Sequence, residues 1–226
     1  MKTKEIIDGP SIPEDIRRET IIGKLNELEA GEGIELIAPH QPEKLIRMLM
    51  EKFPLRYFFS PLQNGPEHWR LHIWVRQRTG EHSVDEYLSW DHDRLDALIE
   101  SARAYIGNGN WEDALARVTE FKDGLFRHIQ IEEDLLFPAF EEASGICHGG
   151  PTMVMRDEHV AIKEAVWAAV EAVKANSQDD FEQHYATMLG VLTEHNMKEE
   201  NILYPMTDNS ISDEARDKLV VSLMLG

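Results

Sequence analysis

The 226-residue chain has one cysteine, Cys147, which excludes an internal disulfide, a CxxC zinc site and a CxxCH haem attachment. Positive charge is scarce as well: 23 Lys and Arg face 42 Asp and Glu, a formal charge of −19. A phosphate backbone or an anionic bilayer must be met with basic side chains, so this balance excludes nucleic acid and membrane surfaces as partners. No apolar run approaches the roughly 20 residues of a membrane span. The opening MKTKEIIDGP lacks the long apolar stretch of a secretion signal. Aromatic residues are modest at 8%, yet the hydrophobic share of 42% is enough for packed cores and argues against disorder. The expectation is an acidic, globular, cytoplasmic protein.

The charge is unevenly placed. Residues 1–80 hold 12 basic and 12 acidic side chains, which leaves 11 basic and 30 acidic for residues 81–226. That step predicts a small α/β domain over 1–80 and a helical domain over 81–226. In the first, strands are expected near 5–7, 34–37, 56–62 and 69–75, and helices over 13–29 and 43–52, the latter behind Pro42. This β-α-β-α-β-β order predicts a two-layer sandwich. From Val84 onward the period is helical, with breaks at 107–110, 144–151 and 176–177. Four long helices follow, about 84–106, 111–142, 152–175 and 178–205, with a short one near 212–224. Short connections make this an up-down four-helix bundle, and the whole an α+β two-domain chain.

The helical part repeats itself at an offset of 67 residues. His92 maps onto His159, His128 onto His195 and Glu132 onto Glu199. The neighbours follow: Glu133 with Glu200, Leu136 with Leu203, Phe137 with Tyr204, Pro138 with Pro205, Leu95 with Ile162 and Ile99 with Val166. Each half therefore carries a histidine and, 36 residues later, His-x-x-x-Glu.

Residues four apart share a helix face, so His128 with Glu132, and His195 with Glu199, each present an imidazole beside a carboxylate. His92 and His159 have apolar residues three and seven positions on, which turns them toward the core. Four imidazoles and two carboxylates then converge inside the bundle. Left empty, such a cluster is costly, because adjacent carboxylates repel and buried histidines lose solvation. Two divalent cations resolve this, each taking two histidines with both glutamates between them. Imidazole and carboxylate without thiolate suit iron, and manganese less well, rather than structural zinc.

Asp91-His92-Asp93-Arg94-Leu95, His128-x-x-x-Glu132, Gly150-Pro151-x-x-x-Met155-x-x-Glu158-His159 and His195-x-x-x-Glu199-x-x-x-Leu203-Tyr204-Pro205 resemble the hemerythrin-like HHE cation-binding family over about residues 84–206. The resemblance implies a non-haem, oxo- or hydroxo-bridged di-iron centre that handles O2, NO or iron, with His92, His128, Glu132, His159, His195 and Glu199 as metal ligands. Oxygen-carrying hemerythrins have a His-x-x-x-His pair on the third helix; here Lys163 stands four residues after His159. Four histidines and two glutamates are similar to the set of bacterial proteins that repair iron centres after nitrosative damage and of hemerythrin-like sensors. A redox partner or an iron-centre client protein is the implied partner. Residues 1–78 resemble a small uncharacterised α/β-sandwich family of sulfur-carrier-like fold, through LNELEAGEGIELIAP, His40-x-Pro42 and Gly65-Pro66-Glu67-x-Trp69. Sulfur carriers place Cys-Pro where Ile12-Pro13 stands, so sulfur relay is not expected.

Other residues take plainer roles. Cys147 reads as an inert loop thiol and His40 as a turn residue. His184 lies about 16 Å along the helix from His195, too far to share a metal. Glu133 and Glu200, turned about 100° from the ligand glutamates, suit the surface or the orientation of ligand histidines. Trp90, Trp167, Tyr87 and Phe137 are expected in the core. Two other functions compete with the di-iron one. A two-metal phosphohydrolase would exploit His92-Asp93 but needs positive groups and an asymmetric ligand set. Ferritin-type iron oxidation normally uses Glu-x-x-His, a spacing this sequence lacks.

Overall fold

The computed structural model describes residues 2–78, 80–146 and 148–226, so the reading of Cys147 lies outside the described residues. The chain forms two compact units, residues 1–82 making most of the first and 83–224 most of the second.

In the first unit, β1 (Lys2–Asp8), β2 (Glu32–Ala38), β3 (Tyr57–Asn64) and β4 (Trp69–Val75) build one sheet in the order β1-β2-β4-β3. β1 and β2 run parallel because α1 (Glu14–Asn26) carries the chain back between them. β4 lies antiparallel to β2 and β3. Strand alternation puts Ile34 opposite Ile73, Leu36 opposite Leu71 and Phe59 opposite Ile73, all buried. Ile21 and Leu25 of α1, with Ile46 and Leu49 of α2 (Glu43–Lys52), supply the helical layer. The element order is the expected one; β1 and β2 run one to three residues past each end of the expected strands, β3 is shifted one to two residues onward, and β4 has the expected bounds.

The second unit is helical. α3 (Val84–Gly107) and α4 (Trp111–Ile131) form one hairpin; α6 (Pro151–Lys174) and α7 (Gln178–Lys198) form the other. Each starts at a chemically sensible place. Ser83 Oγ accepts the Glu86 N–H at 2.9 Å, Asn110 and Ser177 cap α4 and α7 in the same way, and Pro151 opens α6. Leu95, Ile99, Phe121, Leu125, Ile162, Val166, Phe181 and Met188 fill the space between these four helices. A final helix, α9 (Asp213–Leu225), follows. No helix among the described residues is long and apolar enough to cross a membrane.

Two expectations need correction. The helices predicted over 111–142 and 178–205 are not uniform: a single π turn, Glu132–Leu136, separates α4 from α5 (Phe137–Ser144), and another, Glu199–Leu203, separates α7 from α8 (Tyr204–Ser210). In each, the N–H of the residue five positions on bonds the glutamate carbonyl, Phe137 to Glu132 and Tyr204 to Glu199. The next residue is Pro138 or Pro205, which has no N–H to continue the regular ladder. Trp167 is 46% exposed rather than buried; its ring meets Phe126 edge-on, and the Lys122 ammonium lies 5.0 Å from its centroid. The flat indole thus covers the bundle's flank with a cation over it, a surface role that apolar periodicity does not distinguish from a core one. Trp90 is half-buried, whereas Tyr87 and Phe137 are buried as expected.

Two glycines of the first unit answer differently to an added methyl. At Gly33 in β2, a Cβ would stand 2.6 Å from the Trp74 ring and 2.8 Å from the Ile73 carbonyl oxygen. At Gly23 in α1 it would meet nothing within 4 Å. Gly33→Ala is expected to lower stability by about 1–3 kcal/mol, and Gly23→Ala to raise it by about 0.5–1 kcal/mol. Urea denaturation of the two variants checks both signs.

Candidate metal centre

The six residues singled out by the repeat come together. α3 supplies His92, α4 supplies His128, α6 supplies His159 and α7 supplies His195, while Glu132 and Glu199 open the two π turns. All six are buried, both glutamates and His159 completely. One ligand atom each from Glu132, His159, His195 and Glu199 lies within 4.8 Å of the others, and His92, His128 and Glu199 form a second such group. The imidazoles are paired, His92 with His128 at 4.6 Å between ring centroids and His159 with His195 at 4.9 Å. His40 and His184 belong to neither group. His40 is exposed beside the Gln41 carbonyl, and His184 is half-buried on α7.

Every one of the four imidazoles is held from behind by a carboxylate. The Nδ1 of His92 donates to Glu200 at 2.8 Å, that of His128 to Asp91 at 3.0 Å, that of His159 to Glu133 at 2.8 Å and that of His195 to Glu158 at 2.9 Å. An ionised carboxylate only accepts, so this fixes the proton on Nδ1 and turns each Nε2 toward the cluster. Glu133 and Glu200 orient His159 and His92, as their place in the sequence allows. Asp91 and Glu158 were missed as orienting groups, although they too stand 67 residues apart, each one residue before a histidine of the cluster. The contacts obey the repeat: Asp91 and Glu158 reach across their own hairpins, Glu133 and Glu200 into the opposite one.

Cations sit outside this carboxylate layer. Arg94 Nε donates to Asp91 Oδ1 at 2.7 Å and is itself buried. Lys198 pairs with Glu158, and the half-exposed Lys163 lies 3.8 Å from Glu133.

Tyr204 is a further residue of the cluster that the sequence reading did not single out. Its O–H lies 2.6 Å from Glu132 Oε1 and 3.0 Å from Glu199 Oε2. A regular helix would carry residue 204 about 140° around the axis from Glu199. The π turn sets it above the glutamate instead, and Phe137 stands in the matching place, stacked on His159 at 5.7 Å. The proline after each aromatic was the available signal.

The electrostatics follow from this packing. Burial disfavours the imidazolium of His92, but Glu199 and Glu200 outweigh it and raise its pKa to about 10. For His128, burial again opposes, and Glu132 and Asp91 prevail, raising it to about 9. Glu132 is pulled well down against burial by His128 and His159. Glu199 is lowered by His195 and His92, against both burial and the charge of Glu132. Burial and the two carboxylates push Tyr204 well up, so its phenol keeps its proton.

The residues fit a metal. Among the buried polar atoms without a hydrogen-bond partner among the described residues, four belong to the residues of the two groups: His128 Nε2, His159 Nε2, Glu132 Oε2 and Glu199 Oε1. Leaving such atoms unsatisfied costs about 1–3 kcal/mol each, and a divalent cation would satisfy several at once. His195 Nε2 is 3.0 Å from Glu199 Oε1, close enough to pair but out of line for a hydrogen bond.

The raised histidines set a pH dependence for the metal-free protein. Their unfolded pKa is about 6.5, so their stabilising contribution is complete below that pH and lost as pH rises through about 9 and about 10. The urea midpoint of metal-free protein is expected to fall between pH 7 and pH 10. Metal-loaded protein should fall less, since an ion takes the place of those protons. A midpoint that stays level or rises in the metal-free protein would contradict protonated His92 and His128 at neutral pH.

A family model described as the hemerythrin HHE cation binding domain matches residues 83–207, and one for an uncharacterised conserved protein (DUF2249) matches residues 6–75. No match was found among curated proteins or among solved structures. The first match takes in more than half of the chain, including both hairpins and all six clustered side chains. The chain thus belongs to the hemerythrin HHE cation-binding domain family and is a non-haem, iron-binding protein of that kind.

Proposed function

We propose that His92, His128, Glu132, His159, His195 and Glu199 hold two iron ions, oxo- or hydroxo-bridged, and that the centre binds O2 or NO. The observation that carries this reading is the orientation of four imidazoles: each has Nδ1 tied to a carboxylate and Nε2 facing two buried glutamates. Iron in such a site supplies open coordination positions and electrons for a diatomic ligand. The chain's own groups do the rest. The outer carboxylates keep the imidazoles in one tautomer and one orientation. Phe137, stacked on His159, and the buried Leu136 and Leu203 limit water around the cluster. Tyr204 holds a proton between the two glutamates.

The setting favours this over hydrolysis. A phosphate substrate needs positive side chains aimed at the metals, whereas Arg94, Lys198 and Lys163 are each drawn to an outer carboxylate. The repeat's near-symmetric ligands likewise support a shared small ligand. Sensing, scavenging or repair of iron centres under nitrosative or oxidative stress are the roles proposed, with a redox partner or an iron-centre client protein at hand. Lys163, in place of a fifth histidine, argues against reversible oxygen carriage.

Two measurements test the proposal. Protein prepared without added metal is expected to carry about two irons per chain, with a visible spectrum that changes on adding NO. No metal, or a single zinc, would end it. His195→Ala is expected to lose at least one iron per chain and to unfold at lower temperature, because a bound ion stabilises only the folded state. Unchanged metal content in that variant would remove His195 from the ligand set.

A further inference from the structure

Building on the two-cation reading, we propose that the phenol of Tyr204 makes the two cation sites unequal, so that the His159/His195 site fills before the His92/His128 site. The backbone and the six ligands repeat at 67 residues, so an inequality must come from something that does not repeat. Residues 137 and 204 are the departure that reaches the donor atoms. The Phe137 ring stacks on His159 at 5.7 Å and the Tyr204 ring leans on His92 at 5.9 Å, equivalent positions that differ by one oxygen atom.

That oxygen is placed on one side only. Each glutamate turns one carboxylate oxygen to each site. Glu132 Oε1 faces His128 Nε2 at 3.5 Å, and Glu199 Oε2 faces His92 Nε2 at 3.4 Å. These two oxygens are the ones the Tyr204 O–H engages, at 2.6 and 3.0 Å. The opposite oxygens, Glu132 Oε2 and Glu199 Oε1, face His159 Nε2 at 3.4 Å and His195 Nε2 at 3.0 Å. Both are buried with no hydrogen-bond partner among the described residues.

A cation entering between His159 and His195 therefore meets two carboxylate oxygens that no hydroxyl engages among the described residues. One entering between His92 and His128 must compete with the single phenol proton that lies between these two oxygens. The ligand groups reflect this, four donors converging on the first site and three on the second, which lacks Glu132. A hydrogen bond to a charged group is worth on the order of tenfold or more in an equilibrium, so the two affinities should differ by about that factor. Tyr204 acts here as a positioning residue, through the carboxylates.

Calorimetric titration of the metal-stripped full chain with zinc(II), a redox-silent probe, reads the affinities directly. The wild type should bind two ions, the first about tenfold or more tighter than the second. Tyr204→Phe should still bind two, with the second step tightened until the two differ by about threefold or less. Phe137→Tyr, which puts a phenol in the other half, should weaken the first step toward the second, and this variant keeps the test open should Tyr204→Phe fold poorly. Two ions bound with the wild-type separation intact in Tyr204→Phe, or an unchanged first step in Phe137→Tyr, would overturn the role of Tyr204 while leaving the two-cation reading in place. Fewer than two ions in the wild type would overturn both.

Discussion

Ionisable groups at high density, withdrawn from water, set the terms for the helical unit. Four imidazoles and two carboxylates occupy one buried volume, and a charge or lone pair there is tolerated only when something opposite meets it. The surrounding structure meets that requirement in layers. The imidazoles face inward on Nε2 and are held on Nδ1 by Asp91, Glu133, Glu158 and Glu200, and the first three of those carboxylates are met from outside by Arg94, Lys163 and Lys198 in turn. Below the cluster the bundle is ordinary apolar packing. The polar and apolar parts divide the work, one orienting the imidazoles and the other fixing the helices that carry them.

The layers are not identical in the two halves. Asp91 and Arg94 are sealed from solvent, whereas Glu158 and Lys198 reach it, and Ala161 stands where the repeat would place an arginine equivalent to Arg94. Tyr204 against Phe137 is a second departure, closer to the donor atoms. A repeated hairpin that kept its inner histidines and glutamates and varied their supports has room to give two similar groups different properties without changing any of those six residues.

Much of this could be read in the sequence, and the reason is physical. A 67-residue repeat of His and His-x-x-x-Glu works only if helices bring the copies together, so spacing alone led to the six inner residues, and the β-α-β-α-β-β order of the first unit follows from period-two and helical patterning. What stayed hidden depended on departures from regular geometry. The π turns at Glu132 and Glu199 alter the angular position of everything after them, so an ideal-helix projection could not set Tyr204 over the carboxylates. Asp91 and Glu158 escaped because acidic residues are so abundant in residues 81–226 that two more do not stand out. Trp167 defeated the pattern in the opposite way, since a large aromatic spaced like a core residue was left on the surface beneath Lys122.

The reach of the outer carboxylates into the opposite hairpin has a topological side. Glu200 holds His92 across 108 positions of chain, and Glu133 holds His159 across 26. Fastening residues so far apart removes configurations from the unfolded chain much as a covalent bridge does, and longer loops gain more from it. With one cysteine, the protein has no sulfur bridge to draw on within itself. A cluster that binds cations through both hairpins would act as a reversible cross-link, tightened or released by the supply of metal rather than by the redox state of thiols.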